Sequence, residues 1–250
     1  SHLINCRHKV KLKRKKHYYK GKYGSILVLG GWDNMPGAAY LSALAALKTG
    51  CGKVYMCTNN FQKCPYEIIR VMPDEKDILN ILDKIDVIVA GPGLSKKGNE
   101  ILKLLWKTNK PLVLDADGLN WLAKNFANKR KSPLIGTPHH GEAVNLLGKA
   151  FNDRFYAVKK IKQKYGGTWV LKGPGTIILD DKIYINDFAD SILATAGSGD
   201  VLAGIIGGLI AQKEKNPVIK AVQIHSHSAY SLMLKRNTTV LASELIKKIS

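Results

Sequence analysis

Ala194-Thr195-Ala196-Gly197-Ser198-Gly199-Asp200-Val201-Leu202-Ala203-Gly204 is the stretch whose reading fixes the architecture. A loop of small residues opens directly into an apolar helix, predicted over residues 201–212. The first N–H groups of a helix have no intrahelical partner and carry the positive end of its dipole, so they invite an anion. Glycine lets the backbone approach a phosphate closely. Asp200 falls in the first turn, where an ionised carboxylate is favoured. A base at that place can take the proton of a hydroxyl that attacks a phosphoryl group. An Asp cap beside a glycine turn would explain Asp200 alone, but a cap does not require three small residues ahead of Gly-x-Gly-Asp. The stretch is not a Walker A loop, because no Gly-Lys-Ser/Thr follows. The first strand leads into no Gly-x-Gly-x-x-Gly, so the Rossmann fingerprint is missing as well.

Upstream, strands and helices alternate. Residues 26–29 form a short apolar run that ends in Gly30-Gly31, and residues 37–48 carry helical spacing with Gly50 just beyond. Further strands are predicted at 54–57, 86–90, 111–114 and from 134, with a helix over 99–107. Runs at 168–171, 176–179 and 183–185 are β-branched and close together, which predicts antiparallel pairs. The last third is helical, over 201–212, 217–235 and about 243–248. This alternation predicts a three-layer α/β fold with a mostly parallel central sheet. Ligands bind such sheets at the carboxyl ends of the strands. There the chain places Gly30-Gly31, Gly91-Pro92-Gly93, Asp115 with Asp117, and His139. The cluster Asp115, Asp117 and Asn120 reads as helix capping plus loop structure.

Composition bounds the rest. The 250 residues suffice for one large domain, and no apolar run reaches the length of a membrane helix. Four cysteines without a Cys-x-x-Cys pair read as small buried thiols in a reducing cytoplasm. Lys and Arg number 39 against 19 Asp and Glu, a net charge of +20 that favours anionic partners. Eight of the basic residues lie within 9–22, with no acid among them. We divide the chain into this basic segment, residues 1–23, and a single domain over 24–250.

The motifs, taken together, resemble one family. TAGSGDVLAG (195–204) is similar to the anion-hole motif of ribokinase-like kinases, and more narrowly to that of ADP- or ATP-dependent NAD(P)H-hydrate dehydratases. KGKYGSILVLGGW (20–32) with MPGAAYLSALAALKTGCG (35–52), AGPGLS (90–95) and VLDADGLNWLA (113–123) resemble that family's earlier segments. TPHHGEAVNLLG (137–148), VLKGPGTII (170–178) and LASELIKKI (241–249) resemble its later ones. The resemblance implies a ribokinase-like three-layer α/β/α sandwich. It also implies dehydration of the S-form of NAD(P)H hydrate, driven by ADP or ATP with Mg²⁺, through phosphorylation of the hydroxyl and elimination of phosphate. The TPHxGE form points to ADP as donor.

Carried over by position, the resemblance makes Asp200 the catalytic base and a substrate contact, with Ala38, Gly93 and His139 as further contacts to the hydrate. Lys172, Gly173, Pro174, Gly175 and Thr176, with Gly197, Ser198 and Gly199, would hold the nucleotide. Glu142 is either a first-turn helix acid or a support for Mg²⁺ through water, and no residue is expected to bind metal directly. His139 stands where sugar and vitamin kinases of this fold carry Asn, which favours the dehydratase. One departure is His225-Ser226-His227-Ser228-Ala229-Tyr230, where Ser226 and Tyr230 replace the family's Gly and Asp. His225 and His227 are two apart, so on a helix they would not share a face. A homotetramer is implied, as is an NAD(P)H-hydrate epimerase partner, fused upstream or separate. Two other readings compete. A ribokinase-like kinase of a vitamin alcohol would share the loop. A nucleic-acid-binding module driven by residues 9–22 would leave the glycine loops unexplained.

Overall fold

The computed structural model describes residues 1–12, 23–62, 64–235 and 239–249. Of the basic run 9–22, residues 13–22 therefore lie outside the described residues. In chain order the elements are β1 (His2–Ile4), β2 (Ser25–Leu29), α1 (Pro36–Lys48), β3 (Lys53–Cys57), β4 (Ile68–Val71), α2 (Glu75–Leu82), β5 (Val87–Ala90), α3 (Asn99–Trp106), β6 (Leu112–Leu114), α4 (Asp117–Asn125), β7 (Leu134–Gly136), α5 (His140–Leu147), α6 (Arg154–Tyr165), β8 (Thr168–Leu171), β9 (Ile177–Leu179), β10 (Ile183–Asn186), α7 (Ser198–Ala211), α8 (Pro217–Met233) and α9 (Ala242–Lys247).

The strands form one sheet in the order β1-β10-β9-β8-β7-β6-β5-β2-β3-β4. From β8 to β4 every pairing is parallel. Residues 25–29 and 87–90 are buried throughout, as strands covered on both faces must be. β8, β9 and β10 pair antiparallel, as the spacing of their β-branched runs predicts. Residues 2–4 add an edge strand parallel to β10. The order reverses at β2: β3 lies on one side and β5 on the other. This switch point places the loops Gly30-Gly31 and Gly91-Pro92-Gly93 side by side, and Gly31 N–H donates to Pro92 O at 2.9 Å.

One face of the sheet is covered by α1, α7, α8 and α9, the other by α2 to α6. The helix after Gly-Ser-Gly-Asp begins three residues earlier than predicted, at Ser198. It is apolar on all sides because it lies between the sheet and α1 and α8. Val201, Ile205, Ile206 and Leu209 are fully buried, and each such side chain stabilises by about 1.5–3 kcal/mol relative to exposure. Gly204 sets the α1–α7 distance: a Cβ there would lie 2.1 Å from Ser42 O. No helix among the described residues is long and apolar enough to cross a membrane. All four cysteines are buried and free.

Candidate active site

Four charged groups from four segments converge at the carboxyl ends of the central strands. Asp115 follows β6, Glu142 sits in the first turn of α5, Lys172 follows β8 and Asp200 sits in the first turn of α7. Lys172 Nζ donates to Asp115 Oδ1 at 2.6 Å and lies 3.8 Å from Glu142 Oε2. Thr137 Oγ1 lies 2.9 Å from the same Asp115 oxygen. Asp115 thus belongs to the site and is no cap. It is buried, and α4 begins behind Ala116, which has a φ of 46° and makes no side-chain cap. The expectation that the Asp115, Asp117 and Asn120 cluster only caps a helix fails for Asp115, because the lysine that claims its carboxylate comes from a strand end far along the chain. Asp117 does serve the loop, accepting from Ser95 N–H at 2.9 Å.

The electrostatics follow from this packing. Burial raises the Asp200 carboxyl to about 7, and the neighbouring Asp115 pushes in the same direction, partly offset by Lys172. Burial also raises Glu142, against the pull of Lys172. Lys172 is lowered by burial, but Asp115 and Glu142 more than offset this, so its ammonium is held above the usual range. Asp200 therefore sits poised near neutrality beside a fixed positive charge. Three carboxylates against one ammonium leave an all-oxygen, negatively charged donor set, which suits a hard divalent cation. Among the described residues no three His, Cys, Asp or Glu side chains close on a point that would hold a metal by themselves. A cation there would need oxygen ligands from a bound phosphate or from water.

The amino end of α7 opens directly from the small-residue loop. Gly197 caps it in the left-handed region, with φ 85°. Ser198 N–H is used by Thr195 O and Val201 N–H by Gly197 O. The amides of Gly199 and Asp200 have no protein partner among the described residues. Gly199 also lies close to the charged cluster: a Cβ there would lie 3.0 Å from Lys172 Nζ and would displace the ammonium by a few tenths of an ångström. The turn is braced on both sides. Ser42 Oγ donates to Asp200 O at 2.6 Å from α1. From α8, His225 Nε2 lies 2.9 Å from Ser198 O and 3.2 Å from Ser198 Oγ. Burial drives the His225 pKa down to about 4, so it is neutral and can donate Nε2–H to that carbonyl.

Below this turn lies a cleft of about 440 Å³, large enough for a nucleotide. Lys172, Gly173, Pro174, Thr176, Ser198 and Gly199 line it, with His139 and His140 at one side. Gly175 lies in the same loop, its N–H donating to Phe188 O. His139 caps α5: its Nδ1 accepts Glu142 N–H at 3.2 Å, while Glu142 Oε2 accepts His139 N–H at 2.7 Å. Glu142 is thus a first-turn helix acid that caps α5 and also a member of the charged cluster. Ala38 and Gly93 meet at the switch point, where a Cβ on Gly93 would lie 3.1 Å from that of Ala38. Neither is among the residues that line the cleft; Ala38 lies one turn before Ser42 on α1. A wider groove of about 970 Å³ runs along α4 and α5, away from the charged cluster.

Ser42, Thr137 and the clamp by His225 were not legible as site residues, since each acts through the backbone or through Asp115. His225 and His227 do part company as their spacing predicts, His227 Nδ1 lying 2.9 Å from Cys6 O. The departure at Ser226 is absorbed by packing, where its hydroxyl accepts from Asn186 Nδ2 at 3.0 Å.

Known proteins resemble this chain along most of its length. The chain is 39% identical over 253 residues to the ADP-dependent (S)-NAD(P)H-hydrate dehydratase of Neisseria meningitidis serogroup B, covering 93% of this chain and 84% of that protein. It is also 39% identical over 215 residues to the bifunctional NAD(P)H-hydrate repair enzyme of Coxiella burnetii. That match covers 80% of this chain but only 44% of the relative, so the chain spans under half the length of that bifunctional protein. Among solved structures, a ribokinase-like superfamily protein from Enterococcus faecalis superposes with a TM-score of 0.86 at 25% identity, covering 99% and 94% of the two chains. The ADP/ATP-dependent NAD(P)H-hydrate dehydratase from Bacillus subtilis, co-crystallised with ATP/Mg²⁺, gives 0.83 at 30% identity, covering 96% and 92%. The fold is ribokinase-like. The sequence profile for NAD(P)H-hydrate dehydratase matches residues 26–250, and on that match the chain belongs to the NAD(P)H-hydrate dehydratase family.

Proposed function

We propose that the protein dehydrates the S-form of NAD(P)H hydrate at the expense of a nucleoside diphosphate, ADP, with ATP as the alternative donor. The observation that carries this reading is the position of Asp200. Its carboxyl, raised to about 7, lies beside Asp115, Lys172 and Glu142, directly after Ser198 and Gly199, which line a nucleotide-sized cleft. The relatives' names supply the substrate.

In this reading the loop 172–176 and the amides of Gly199 and Asp200 hold the nucleotide, its terminal phosphate over the α7 terminus. The hydrate lies against Ala38, Gly93 and His139. Asp200 takes the proton of the ring hydroxyl as that oxygen accepts the terminal phosphoryl group, with AMP leaving when ADP is the donor. The lone pair of the ring nitrogen then expels phosphate, and loss of the ring proton restores the dihydronicotinamide. Lys172, held by Asp115 and Glu142, stabilises the charge that builds on the phosphate oxygens. Mg²⁺, when bound, neutralises phosphate charge; Glu142 would hold it through water. The chain's own contribution is positioning and charge, with no covalent nucleophile.

The same reading takes the working unit as a cytoplasmic homotetramer over the domain 24–250. The epimerase acts beside it, as the bifunctional relatives suggest. The test is stoichiometric release of inorganic phosphate from ADP that requires the hydrate and is absent with intact NADH. Accumulation of a phosphorylated alcohol without phosphate release would favour the vitamin kinase instead.

A further inference from the structure

We propose that Arg154 is a positioning residue for the nucleotide, acting through the backbone of the loop 172–176; the inference rests on the reading that the cleft holds a nucleotide. Arg154 is the first residue of α6, behind the cap Asp153. Its guanidinium leaves the helix and reaches into the turn between β8 and β9. There Nη2 donates to Leu171 O at 3.1 Å and Lys172 O at 3.5 Å, and Nη1 to Gly175 O at 3.3 Å and Pro174 O. One side chain thus gathers four carbonyl oxygens of the loop. Only a planar cation with several donors and no acceptor can do this, and a lysine ammonium cannot reproduce the fork.

The consequence lies in the peptide planes. In a trans peptide the C=O of one residue and the N–H of the next point in opposite directions. Carbonyls of Leu171, Lys172 and Gly175 drawn toward Arg154 therefore turn the N–H groups of Lys172, Gly173 and Thr176 away from it. The first of these is taken by Pro138 O at 2.8 Å. The other two belong to residues that line the cleft, whereas Arg154 itself lies outside its wall. The clamp aims two backbone donors at the acceptor atoms of a nucleoside diphosphate. Gly173, with φ 136°, also makes room for it, since a Cβ there would lie 3.3 Å from Nη2. The same loop carries Lys172, so the clamp fixes the ammonium that holds Asp115.

The molecule supplies its own control. Arg130 gathers carbonyls in the same manner, those of Leu105, Trp106, Thr108 and Lys110, but at the opposite, amino end of β6. A merely structural arginine clamp should behave alike in both places.

The experiment compares the intact protein with R154A, R154K and R130A. ADP affinity is read by titration calorimetry, unfolding by near-ultraviolet circular dichroism, and the steady state with NADH hydrate. For R154A the expected result is ADP binding weakened about tenfold or more, with KM for ADP rising in step and KM for the hydrate within about twofold. Added guanidinium ion should return part of the ADP affinity to R154A and none to R130A. R154K should fold and still bind ADP weakly, which keeps the test decisive where R154A is unstable. R130A should lose thermal stability with ADP affinity within about twofold. ADP binding unchanged in R154A and R154K would overturn the proposal, as would equal loss in R130A or no guanidinium rescue. Wild-type protein that binds ADP without converting hydrate would refute the dehydratase reading while leaving the clamp testable. Wild-type protein that binds neither ADP nor ATP would refute both.

Discussion

Replacing Asp200 by Asn should make the protein more stable and inactive at once. The carboxyl is raised from 3.8 to about 7, chiefly by burial, and among the described residues only its backbone carbonyl, not its side chain, is held, by Ser42. Because the folded pKa lies above the unfolded one, the native state binds the extra proton. The benefit is intact below about pH 4 and is lost as pH rises through about 7. A shift of about three units corresponds to at most about 4 kcal/mol against the ionised, ligand-free native state. Asparagine keeps the shape and removes the titration. Urea unfolding of both proteins from about pH 5 to about pH 8.5 should show the variant's advantage widening by about 2–3 kcal/mol toward the alkaline end, while turnover falls by about 10²–10⁴. A stability difference that does not change with pH, or a variant less stable at high pH, would refute the reasoning.

Three other outcomes follow from the same geometry. With Asp200 as base, kcat/KM in the free enzyme should rise about tenfold per pH unit below about 7 and level off above it, as read in a pH-rate profile. G199A places a methyl 3.0 Å from Lys172 Nζ at a helical position that favours Ala by about 1 kcal/mol, so thermal stability should hold or rise while turnover drops at least about tenfold. G204A drives a methyl to 2.1 Å from Ser42 O between α1 and α7 and should cost about 1–3 kcal/mol in urea unfolding.

Much of this was legible in the chain because its local signals agree with its global form. The apolar runs at 26–29 and 86–90 mark central strands, and the small residues that end them mark the binding edge. The loop before Asp200 announces a helix terminus open to an anion. What stayed hidden depends on contacts distant in sequence. Asp115 has the sequence context of a cap, and the Lys172 that claims its carboxylate lies 57 residues away. His225 and Ser42 act on the α7 terminus through a backbone carbonyl, for which no motif exists. Helices α2 and α6 and the strands β1 and β4 escaped for a different reason: α6 is dominated by exposed lysines, and β1 and β4, three and four residues long, carry too little pattern.

The central claim is tested most directly by following absorbance in the dihydronicotinamide band while NADH hydrate is mixed with the protein, Mg²⁺ and either ADP or ATP. The account predicts a rise that requires nucleotide, is faster with ADP and is abolished in D200N. No rise with either nucleotide, from protein shown to be folded and to bind ADP, would contradict it.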